Sequence, residues 1–173
     1  NADYTSVGST PYNMKKYNRF ANCLKEFISS YCPIFQPNKI VIATVDVGHQ
    51  FGSTYDHLIT LQGAYDFVRD DNIPDAEYQH EVSSVIAGII ASRTINTSIL
   101  PIKLLDYEGE TTLYTWYEGI LEAIKEDVDV INLSTEVVFS TQDQCSSVFK
   151  QLLNVAKDKN ILVSVAAGNS GEL

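Results

Sequence analysis

The sequence predicts an α/β fold, a three-layer domain with a parallel sheet of about five strands flanked by helices. Two observations carry this. Four short runs of β-branched and apolar residues recur along the chain, Lys39 to Asp46, Ile99 to Leu105, Val128 to Leu133 and Ile161 to Ala167. Nearly continuous apolar runs of that length mark strands buried on both faces. Between them lie stretches with helical character, Ser83 to Ser92, Thr112 to Lys125 and Cys145 to Lys157. Strands alternating with helices build βαβ units, whose crossovers are right-handed.

The elements follow in order. Residues 1–37 form an N-terminal arm and helix: Asn1 to Asn13 is polar with Gly8 and Pro11, and Met14 to Ser30 places Tyr17, Phe20, Leu24, Phe27 and Ile28 on one helical face. Pro33 and Pro37 then break the chain, and residues 38–173 form the α/β domain. A fifth strand falls at Ala64 to Val68. In open parallel sheets functional groups gather at the carboxyl ends of strands. That directs attention to Asp46, Ser134 and Asn169.

Composition narrows the functional classes. With 173 residues and 45% hydrophobic content the chain can bury a core. A formal charge of -10 argues against nucleic-acid and anionic-membrane binding, which need basic surface. No apolar run approaches the roughly 20 residues of a spanning helix. The chain starts at Asn1 with no charged-then-apolar leader, so a processed or trimmed start is expected. Cys23, Cys32 and Cys145 are odd in number and lack metal-ligand spacing. Cys23 and Cys32 are either bridged or reduced; reduced thiols lean towards the cytoplasm.

Five segments, in order, resemble the subtilase family of subtilisin-like serine proteases. Val45-Asp46-Val47-Gly48 resembles the family's Asp-Thr-Gly motif, and Tyr65 to Asn72 resembles the stretch before the catalytic histidine. Ile86-Ala87-Gly88-Ile89-Ile90-Ala91 resembles the helix after it. Asp129 to Ser134 resembles the strand flanking the specificity pocket, and Val165 to Gly171 the oxyanion segment.

The resemblance implies a serine nucleophile, a histidine base, an orienting carboxylate and a side-chain amide for the oxyanion. Asp46 takes the carboxylate position, Asn169 the oxyanion position, and Ser134 a substrate-binding position. Counting back six residues from Gly88 puts Val82 at the histidine position, whereas counting forward from Asp66, Asp70 and Pro74 favours His80. His49 and His57 are expected on the loop after the first strand in exposed polar roles. No Gly-Thr-Ser motif occurs, and Ser170 lies within the oxyanion segment. Where the family has glycines after Asn-x-Ser, Thr135-Glu136-Val137-Val138 stand here. Asp70, Asp71 and Asn72 could suggest calcium, but no loop with regularly alternating ligands follows, and a solvated acidic turn is the expected reading with no cofactor.

The expectation is a subtilisin-like domain that is a catalytically inactive pseudoprotease or protease fragment acting by protein binding. The alternative is an active serine endopeptidase, with a peptide substrate, whose serine-bearing part lies in another chain or in further sequence. Expected partners are a second polypeptide, the remaining C-terminal part of the protease domain, or self-association, through apolar surface left uncovered.

Overall fold

A computed structural model describes residues 39–76, 80–93, 96–135 and 142–168. The arm and helix expected over 1–37, Cys23 and Cys32 among them, lie outside the described residues, as do Glu136, Val137 and Val138.

Five parallel strands form one sheet. They are β1 (Ile40–Asp46), β2 (Tyr65–Asp66), β3 (Thr97–Lys103), β4 (Val130–Leu133) and β5 (Leu162–Val165), in the spatial order β2-β3-β1-β4-β5. Helix α1 (His80–Arg93) precedes β3, α2 (Leu113–Lys125) links β3 to β4, and α3 (Gln142–Asp158) links β4 to β5. The α/β architecture is as the apolar runs predict, with β2 much shorter than Ala64 to Val68.

Strand residues alternate between two faces, so the parity of each position assigns its layer. Ala43, Val45, Leu100, Ile102, Ile131 and Leu133 point to one face, where Trp116, Ile120, Ala123 and Ile124 of α2 and Ala156 of α3 complete the main core. The aromatic rings of Trp116 and Phe149 lie 5.2 Å apart between α2 and α3. Ile99 points to the opposite face, where Ala87 of α1 packs with Tyr55 and Leu58. The register pairs Ile42 with Ile99 and Val130, and Val130 with Leu162, as one row across that second face.

Burial fades along that row. Ile42 is buried and Val130 half-buried, while Leu162 is 65% exposed. The expectation that the Ile161 to Ala167 run is buried on both faces is therefore corrected. β5 is the outer strand of the described sheet, and Val165 too is 49% exposed. Among the described residues α1 covers the second face over β3, with no described helix packed over β4 and β5 there.

Candidate active site

The chain runs from β1 towards β3 on one side and from β4 towards β5 on the other, so the connections diverge between β1 and β4. Such a switch point leaves a crevice at the carboxyl ends of the two strands. Asp46 ends β1, and Ser134 follows β4 immediately. The register pairs Thr44 with Asn132 on the same face, two positions below each.

Asp46 is 4% exposed and its Oδ1 accepts a hydrogen bond from the Val47 amide at 2.8 Å. Burial pushes its carboxyl above the usual carboxylate range, and the Val47 amide only partly offsets this. Its backbone carbonyl accepts from Leu104 at 2.8 Å, which fixes the strand end. Gly48 then turns the chain at φ +94°, where a Cβ would collide with the Pro74 carbonyl oxygen. The glycine of the Val45 to Gly48 motif is thus explained by close backbone approach.

The histidines divide. His49, expected to be exposed, is 2% exposed and is corrected to a buried residue. Its Nε2 lies 2.9 Å from Asp56 Oδ1 and 3.3 Å from Ser53 Oγ, and its ring meets Phe51 edge-on. Partial burial of the Asp56 carboxylate is outweighed by bonds from His49, Gly52 and Ser53, which hold it below its usual range. His57 is exposed, on a short 3-10 helix from Asp56 to Leu58, as expected. The ring of His49 is thus engaged with Asp56 and Ser53.

His80 is the first residue of α1, and Val82 is the third. Their side chains, like Asn169 and Ser170 as whole residues, lie outside the described residues. The helix itself is well anchored: buried Ser83 accepts the Gln50 amide through Oγ at 3.0 Å, Ala87 is 2% exposed, and Gly88 lies against the Tyr55 hydroxyl. Helix α1 is continuous from His80 through Gly88. Positions 80 and 82 therefore stand roughly 200° apart around its axis and about 3 Å apart along it.

On the β4 side, Ser134 is exposed and its Oγ accepts from Asn132 Nδ2 at 2.8 Å. Thr135 is buried and bound instead by the Trp116 indole, Nε1 to Oγ1 at 2.8 Å. The calcium expectation at Asp70, Asp71 and Asn72 meets a turn whose carboxylates have internal partners: Asp71 accepts the Ile73 amide at 2.8 Å and Asp70 the Tyr65 hydroxyl. No group of three or more His, Cys, Asp or Glu residues suited to a metal occurs among the described residues.

Sequence reasoning missed two features. One is buried His49; the other is a buried ion pair, Lys103 with Asp66, at 3.4 Å. A lysine inside the apolar run Ile99 to Leu105 was the available signal, because a charge in a buried strand requires a partner.

A buried aspartate that closes the first strand beside the topological switch point fits a serine-protease scaffold of the subtilisin type. The subtilase family profile matches residues 38–172, and the chain belongs to that family. It is 33% identical over 141 residues to thermitase of Thermoactinomyces vulgaris, covering 75% of this chain and 47% of that protein. It is 31% identical over 140 residues to a thermophilic serine proteinase of Bacillus sp. (strain AK1), covering 75% of this chain and 33% of that protein. Its fold resembles a crystal structure of a lanthipeptide protease, with TM-score 0.69 and 20% identity over 95% of this chain and 49% of the other. The chain thus spans about half the length of thermitase and a third of the Bacillus proteinase. No helix among the described residues is long and apolar enough to cross a membrane.

Proposed function

We propose that this subtilisin-like domain is a catalytically inactive pseudoprotease or protease fragment that acts by protein binding. The observation that carries the reading is the unbroken helix α1. Ala87 is buried and Gly88 abuts Tyr55, which anchors the helix against the loop after β1, and six residues before Gly88 stands Val82. The helix runs without a break from His80 through Gly88, which supports Val82 over His80 at the histidine position, since two residues inserted within a helix turn a side chain by roughly 200°. A valine accepts no proton, and without a base a serine hydroxyl is a weak nucleophile. Asp46 then persists as a buried carboxylate with no imidazole to orient.

The uncovered second face over β4 and β5 supports binding as the mode of action. Leu162 exposes apolar surface beside half-buried Val130 and Asn132. A second polypeptide, the remaining C-terminal part of a subtilase domain, or another copy would bury it. Treatment of the full-length protein with a fluorophosphonate probe, followed by intact-mass analysis, tests the reading. No adduct is expected; stoichiometric labelling of one serine contradicts it.

The half-length match to thermitase favours one second reading, an active serine endopeptidase whose serine-bearing part lies in another chain or in further sequence. His80 is then the base that Asp46 orients. Turnover of a peptide substrate that disappears in Asp46→Asn and in His80→Ala distinguishes it from the first reading.

A further inference from the structure

The turn leading from β2 to α1 is rich in carboxylates, Asp66, Asp70, Asp71 and Asp75, the composition of a hard-cation site. Its backbone amides take up much of that oxygen. Asp66 Oδ1 accepts Val68 and Arg69 at 2.8 and 3.0 Å, and Asp71 Oδ1 accepts Ile73 at 2.8 Å. One oxygen is left over. Asp66 is 0% exposed, and its Oδ2 makes no hydrogen bond.

Facing that oxygen is Lys103, the last residue of β3 and itself 4% exposed. Its Nζ lies 3.4 Å from Asp66 Oδ2 and donates to the Asp75 backbone carbonyl at 2.8 Å. The ammonium therefore stands between a buried carboxylate and a backbone carbonyl, the ligand types that bind calcium elsewhere. The register sets Lys103 between Asp66 of β2 and Asp46 of β1 on one face. The segment it holds is tied on its other side to the loop after Asp46, where His49 donates to Pro74 at 2.7 Å and accepts from Ala76 at 2.9 Å.

We propose that the Lys103 ammonium is the built-in cation of this turn and that it fastens the 66–76 segment beside Asp46 without calcium. The feature is independent of whether the domain is catalytic. A buried carboxylate deprived of its cation is strongly destabilising, whereas removing both charges together relieves the loss.

Thermal melts of the full chain in millimolar calcium and in EDTA test this, because a metal bound to the folded state raises Tm. The two wild-type melts are expected to coincide. Lys103→Met is expected to lower Tm by more than about 5 °C, and Asp66→Asn added to it to recover at least half of the loss. Where Lys103→Met leaves no folded protein, a folded double variant supports the proposal and an unfolded one overturns it. A wild-type Tm that rises with calcium and no longer does so in Asp66→Asn overturns it, as does a Lys103→Met variant that melts with the wild type.

Discussion

Asp46 is held in surroundings that disfavour its charge. Because burial raises its folded carboxyl above the unfolded value, the folded state holds a proton that the unfolded state has released as pH rises between the two. Its contribution to stability therefore falls with increasing pH across that window and is least favourable at neutrality. Asp46→Asn, which keeps an acceptor for the Val47 amide, is expected to stabilise the domain at pH 7 by about 1 kcal/mol. The gain shrinks as pH falls towards the carboxylate range, and paired denaturation curves at several pH values read it directly. His49 is the opposite case: its bonds to Asp56 and Ser53 and its contact with Phe51 make His49→Ala destabilising by about 2 to 3 kcal/mol in urea denaturation. Asp46 was legible in the sequence because a motif and a strand end coincide there. His49 was not, since only the folded loop brings Asp56, seven residues on, to its ring.

The strands were legible because β-branched runs carry their own signal, and their observed limits fall within about two residues of those runs, apart from β2. What the pattern could not supply is what lies next to each element. β5 is a mainly apolar run like β1, yet β1 sits between two strands and β5 at the described edge, so one is buried and the other exposed. Close approach is equally invisible in composition. At Gly48 positive φ and the nearby Pro74 carbonyl exclude a side chain, and Gly48→Ala is expected to cost about 2 kcal/mol or more, measured by equilibrium unfolding. Helix α2 is joined to the end of β4 by the Trp116 to Thr135 hydrogen bond. Trp116→Phe strands the Thr135 hydroxyl, and a loss of about 1 to 3 kcal/mol is expected in the same assay.

For the molecule as a whole, the asymmetry between the two faces of the sheet matters most. One face is closed by α2 and α3, while among the described residues the other is covered by α1 over β3 alone. Light scattering on the purified chain is therefore expected to report self-association or a complex; a monodisperse monomer speaks against the binding role. The catalytic half of the account rests on the proposal that Val82, and not His80, of the continuous helix α1 occupies the position where the family carries histidine. Hydrolysis of an unfolded protein substrate by the full-length protein, compared with its His80→Ala variant, tests that claim most directly. The account predicts no turnover by either protein, and wild-type turnover that His80→Ala abolishes would contradict it.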